Sequence, residues 1–131
     1  AGTSEPSRFL SERAEGPPEN GMSVEEYAAL MHDVDAVRSE ILGFMKNYDA
    51  IICPVAAQPA PTHEDSEGLK YTYTQAHNLS GLPGAVVRGG TSPEGMPIGV
   101  QIVTQPWRED VALAIAAVIE EATGGWVPPT I

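Results

Sequence analysis

Tyr73 to Gln105, YTQAHNLSGLPGAVVRGGTSPEGMPIGVQIVTQ, decides the fold. Thr72, with Gln75 three residues on, fits a capping box that opens a short helix. Gly81 and Pro83 stop that helix. Gly84-Ala85-Val86-Val87-Arg88 is then a short apolar run of strand type. A polar loop over residues 89–95 turns the chain back. The return run, Met96 to Val103, alternates so that Ile98, Val100 and Ile102 share one face. Gly99 leaves room there for another group to approach closely. Read by itself, the stretch is a buried hairpin behind a helix.

Upstream, Ser23 and Glu26 form a second capping box, with Met22 and Tyr27 placed as a hydrophobic staple. Tyr27, Leu30, Met31, Val34, Val37, Ile41, Phe44 and Met45 recur at three- and four-residue steps and predict an apolar helix stripe ending near Asn47. Ala50-Ile51-Ile52-Cys53-Pro54-Val55 is a continuous apolar run, which predicts a strand buried on both faces and interrupted at Pro54. Residues 56–70, AAQPAPTHEDSEGLK, form a long loop of the kind that more often serves function than architecture. Downstream, Glu109 and Asp110 occupy a favourable first helical turn. Val111, Ala114, Ile115, Val118, Ile119 and Ala122 predict its buried stripe, Leu113, Ala116 and Ala117 widen it toward a second face, and Gly124-Gly125 ends it. Trp126 to Ile131 reads as an apolar tail laid on a surface. Residues 1–21, rich in Pro, Gly, Ser and charge, predict a flexible arm, and residues 22–131 one α/β region of about three helices and three strands.

The chain has 131 residues, enough for one modest core. It has 13 glycines and 12 prolines, below the level of a low-complexity chain. A net charge of −11 argues against nucleic acid and anionic membranes as partners. One cysteine, Cys53, excludes an internal disulfide and suits a reducing, cytoplasmic setting. No signal-peptide pattern stands at the start, and Ala1 rather than Met opens the chain, so a processed chain or a piece of a longer one is expected.

No catalytic constellation stands out. His32, Asp33 and Asp35 do not share a helix face as metal ligands do. His63-Glu64-Asp65 lacks a fixed fourth ligand. Cys53 reads as inert core, because its nearest charge is Asp49 rather than a cation. Ser80 and Ser92 neighbour glycines but lie outside any G-x-S-x-G elbow. No metal and no cofactor are expected. A metal-dependent enzyme using His32, His63 and His77 is the least supported reading on ligand geometry.

Four segments together resemble the C-terminal part of amidase signature enzymes: Tyr48 to Val55, Asn78-Leu79-Ser80-Gly81-Leu82-Pro83-Gly84, Gly95 to Val103, and Glu109 to Glu120. The pairing of N-x-x-G-x-P with the later P-I-G-V-Q is the specific part, and the likeness extends over residues 23–129. The resemblance implies a mixed central sheet and hydrolysis or transfer of amides by a Ser–cis-Ser–Lys triad, with an oxyanion held by backbone N–H groups. That machinery lies upstream of the matching region, so no catalytic residue carries over. Gly89-Gly90-Thr91-Ser92 looks superficially like the serine-rich segment but falls in the hairpin loop, and Ser92 receives no role. The resemblance implies that Pro54, Val55 and Ala56 line the substrate pocket. It also implies that Asn78, Gly81, Pro83, Gly99 and Gln101 set turns and core, with His77 where an aromatic residue is expected. The implied function is a fragment or subunit of an amide hydrolase, inactive alone, whose partner is the remainder of that fold. The alternative is a free-standing, non-catalytic module that binds or pairs with a second copy through faces the remainder would cover.

Overall fold

A computed structural model describes residues 21–61 and 72–128. The expected arm at residues 1–20, the His63-Glu64-Asp65 group and residues 129–131 of the tail lie outside the described residues. The elements run α1 (Val24–Met45), β1 (Ala50–Pro54), α2 (Thr72–Ser80), β2 (Gly84–Thr91), β3 (Pro97–Thr104) and α3 (Glu109–Thr123). Three helices and three strands give the α/β class expected. The chain divides at Asp33/Val34, inside α1, into two units, each described by itself.

In the first unit, the capping box forms as the spacing predicts. Ser23 N–H donates to Glu26 Oε2 at 2.8 Å, and Glu26 N–H donates to Ser23 Oγ at 3.1 Å. The bond from the Ser23 backbone, followed by the one from its side chain, holds the Glu26 carboxyl below its ordinary range. The predicted stripe is not buried here: Tyr27 and Leu30 are exposed.

In the second unit, the sheet order is β1-β3-β2 with both pairs antiparallel. β3 is therefore central, and its alternation places successive side chains on opposite faces. Val103 packs with Met45 and Leu82, and Ile41, Leu42 and Ile51 surround them. Ile102 packs on the other face with Ala112 and Ala116, flanked by Ala85, Val87, Ile115 and Ile119. Each face thus has its own small core, one closed by the last turns of α1 and the other by α3. Val37 and Phe44 remain exposed, so α1 packs only through its end.

Five expectations need correction. β1 is not buried on both faces: it is an edge strand, paired only with β3 among the described residues, and Ile52 is 57% exposed. Its pairing also runs through Pro54 to Val55, whose N–H donates to the Gly99 carbonyl at 3.3 Å. Proline is tolerated because it stands on an edge.

β2 continues to Thr91 rather than stopping at Arg88, by a register shift between Arg88 and Gly90. A Cβ on the intervening Gly89 would overlap the Val100 side chain, so glycine carries this bulge. The hairpin turn is consequently short, closed by Ser92 N–H to Met96 O at 2.8 Å and Gly95 N–H to Ser92 O at 2.9 Å.

The buried face of α3 is rotated from the expected one. Ala112 and Ala116 are buried, whereas Ala114, Val118 and Ala122 are exposed. The sequence ALAIAAVI has small or apolar residues all round, so periodicity alone does not select a face. Two hydrogen bonds fix the end of the helix to β2: Thr123 Oγ1 donates to the Arg88 carbonyl at 2.8 Å, and Arg88 Nη1 donates to the Gly125 carbonyl at 3.1 Å. The tail is not laid down over its described part, since Trp126 and Val127 are exposed.

Met45 is fully buried where α1 meets the sheet. Met45→Ala should lower stability by about 2–5 kcal/mol, read as a drop in the urea midpoint at unchanged m-value. A midpoint equal to wild type would mean that this core does not form.

Candidate functional site

β1 delivers its last residues to a hollow of about 480 Å³ lined by Pro54 to Ala60 on one side and by Val86, Pro97, Ile98 and Gly99 on the other. Pro54, Val55 and Ala56, the residues expected at a pocket, thus sit together at its wall. The opposing residues come from β2 and β3, which the sequence reading did not assign to a site. Gly99 carried a signal, because it lacks a side chain inside an apolar strand. Val86 carried none, since an exposed valine on a strand is unremarkable in a sequence.

Gly99 explains how the wall closes. A Cβ built there would lie 2.9 Å from Val55 Cγ2 and 3.4 Å from Val86 Cγ1. The first is a contact that real Cβ atoms essentially never make, so Val55 packs this close to β3 only because residue 99 is glycine.

Gln101 holds the base of this region. It is buried, and its Nε2 donates to the Tyr73 carbonyl at 2.8 Å. The same nitrogen lies 3.1 Å from Cys53 Sγ and 3.4 Å from the Pro54 carbonyl. One amide therefore ties the first turn of α2 to the end of β1. Cys53 is half-buried and faces this amide rather than a cation.

The remaining motif residues stand at turns. Gly81 has φ 70, a left-handed conformation that favours glycine, and Leu82 N–H donates back to the His77 carbonyl at 3.2 Å to close α2. The Pro83 carbonyl accepts from Thr104 N–H at 3.1 Å. Asn78 lies exposed on α2.

Neither buried serine is poised as a nucleophile. Ser80 Oγ donates to the Ala76 carbonyl at 2.8 Å, and Ser92 Oγ accepts from Met96 N–H at 3.3 Å within the hairpin turn. Lys46 is the one lysine among the described residues. No group of three or more His, Cys, Asp or Glu among the described residues is arranged to hold a metal ion, and no helix among them is long and apolar enough to cross a membrane.

His77 is the titratable group that the fold perturbs by burial. Its Nδ1 is buried and has no hydrogen-bond partner among the described residues, and desolvation lowers its pKa from 6.5. The unfolded chain therefore binds a proton more readily than the folded one. Stability is full above the unfolded value and falls as pH drops through 6.5 toward the lowered folded value.

Gln101→Leu strands the Tyr73 and Pro54 carbonyls and should cost about 1–3 kcal/mol, measured by urea titration; an unchanged midpoint would show that the amide bridge contributes nothing. The urea midpoint of the wild-type chain should fall between pH 7.5 and 5.5, and His77→Phe should flatten that slope. The same slope in both proteins would place the titration elsewhere.

Comparison with known proteins bears on this geometry. The family model described as Amidase matches residues 4–113. The chain is 36% identical over 90 residues to the A subunit of glutamyl-tRNA(Gln) amidotransferase from Xanthobacter autotrophicus, covering 62% of this chain and 18% of that protein. It is 28% identical over 109 residues to human fatty-acid amide hydrolase 2, covering 82% of this chain and 20% of that protein. Among solved structures, a 6-aminohexanoate cyclic dimer hydrolase superposes with a TM-score of 0.68 at 28% identity, over 77% of this chain and 25% of that one. A further amidase crystal structure gives 0.68 at 25% identity over 79% of this chain and 26% of that one. The chain thus spans at most a fifth of the length of these curated relatives. With the family match extending over most of its residues and its fold shared over more than three quarters of its length with solved amidases, the chain belongs to the amidase family.

Proposed function

We propose that this chain is the C-terminal portion of an amide-bond hydrolase and that it supplies one wall of the substrate pocket without supplying the nucleophile. The observation that carries this reading is the hollow itself. It gathers Pro54, Val55 and Ala56 against Gly99, at the junction of segments that resemble the family's motifs. The two buried serines among the described residues are engaged in helix and turn hydrogen bonds. The relatives include one protein named as part of an amidotransferase and one named as an amide hydrolase, both far longer than this chain.

In this reading a serine from upstream sequence attacks the amide carbonyl, a bridging serine takes its proton and a lysine polarises the bridge. The wall described here excludes water and orients the part of the amide that does not react. The partner is the remainder of the amidase fold. The open edge of β1 and the exposed Ile52 and Val86 are surfaces that such a remainder would cover. A cytoplasmic location belongs to the same reading and rests on the single cysteine.

One observation favours a second reading, a self-associating module. Trp107 is held 89% exposed with φ 64, a conformation that costs a non-glycine residue energy. Exposed, strained tryptophan fits an interface between copies of this chain.

Assay of the 131-residue chain with acetamide, benzamide and hexanamide should give no hydrolysis above buffer, while co-expression with the catalytic segment of a related amidase should restore it. Hydrolysis by the chain alone would overturn the proposal. A discrete dimer in sedimentation velocity, abolished by Trp107→Ala, would move the assignment to the second reading.

A further inference from the structure

Turning by about 100° per residue, α3 has two opposite faces. One holds Ala112 and Ala116, packed with Ile102 on the sheet. The other holds Asp110, Leu113, Ala114, Ala117, Val118 and Glu121, all of them exposed. Leu113 is 64% exposed and Val118 67%. A helix layered on a sheet normally carries polar side chains on its far side. Here the run from Val111 to Ile119 contains no polar side chain. A helix that is apolar all round is of the kind that proteins cover all round.

Charge marks one end of this outer face. Glu120 and Glu121 stand at the C-terminal end of α3, and its last turn has no basic residue. Negative charge is disfavoured at that end of the helix dipole. Among the described residues, neither glutamate forms an ion pair. Arg88, the cation that reaches this end, donates to the Gly125 carbonyl and to Thr91 Oγ1 instead. At the opposite end, Asp110 is paired with Arg108 at 2.9 Å. The outer face is thus an apolar strip roughly 16 Å long, with uncompensated negative charge at its C-terminal end.

We infer that the outer face of α3 docks an amphipathic helix of a separate polypeptide, with its apolar side on Leu113 and Val118 and its Lys or Arg residues at Glu120 and Glu121. A second copy of this chain does not fit. Residues 109–123 hold no Lys, Arg or His, and Arg108 just before them is taken by Asp110, so two such helices would set carboxylates against each other. The surface is also independent of the hydrolase reading. The open edge of β1 lies in the plane of the sheet, whereas the outer face of α3 points away from the sheet, so covering one leaves the other free.

The test titrates the full chain with three helix-stapled peptides of about four turns, following the amide resonances of Leu113, Ala117, Val118 and Glu121 by NMR. The first peptide has Leu and Ala along one side and Lys at one end of that side. The second has Glu in place of Lys. The third keeps Lys and has Gln in place of Leu and Ala. The first should shift all four resonances and bind roughly tenfold more tightly than either of the others. Leu113→Gln, at an exposed position, should keep the urea midpoint and weaken the first peptide about tenfold. Glu120→Gln combined with Glu121→Gln should weaken it too and remove the salt dependence of its binding. A spin label on the Lys end should broaden Glu121 and spare Asp110.

Equal binding of the Glu peptide or of the Gln-sided peptide would overturn the inference, as would shifts confined to residues outside α3. Dimers of the chain that Leu113→Gln disperses would give the face to a second copy and overturn it as well. The last arm repeats the titration on the chain co-expressed with the catalytic segment of a related amidase. Loss of peptide binding there would give the face to the remainder of that fold and end the inference. Retained binding supports a separate partner, whether or not the pair hydrolyses amides.

Discussion

The second unit depends on β3 being paired on both sides. Its partners β1 and β2 run antiparallel to it, and its last residues, Gln101 to Thr104, are all buried. Alternation then does two jobs at once. Ile102 receives α3 on one face, and Val103 receives Met45 and Leu82 on the other. Gln101 and Gly99 share the Val103 face. That is why the buried amide reaches Cys53 and Tyr73, and why the missing side chain opens toward Val55 and Val86. A one-residue slip in register would send each of these groups to the wrong side.

What was legible in the sequence was local. The Ser23/Glu26 box, the strand character of Pro97 to Thr104 and the end of α3 at Gly124 each follow from a few neighbouring residues with one strong preference. What was not legible depended on partners. ALAIAAVI offers similar faces in several directions, so the buried side of α3 is chosen by contacts with β2 and β3. AIICPV reads as a central strand by composition, yet it stands at an edge here. The same holds for α1, whose stripe is apolar along its whole length but packs in the second unit only through Ile41, Leu42 and Met45.

Apolar surface that the sequence prepares for burial is left exposed at Ile52 and along α1, and Val86 and Trp107 are exposed besides. In the proposed function, such surface is what the rest of a longer amidase would cover. The hollow lies beside that surface, with Val86 on its rim. A wall whose shape is fixed by one glycine and one buried amide, set next to surface awaiting a partner, suits a segment that shapes a pocket and leaves the chemistry to residues carried elsewhere.

The most direct test of that account is the intact mass of the species bearing this sequence in its native cells, taken by antibody capture and mass spectrometry. The account predicts a polypeptide several times heavier than 13.9 kDa, or a 13.9 kDa chain held in a stoichiometric complex with a polypeptide bearing the triad. A species near 13.9 kDa, alone or paired only with itself, would contradict it.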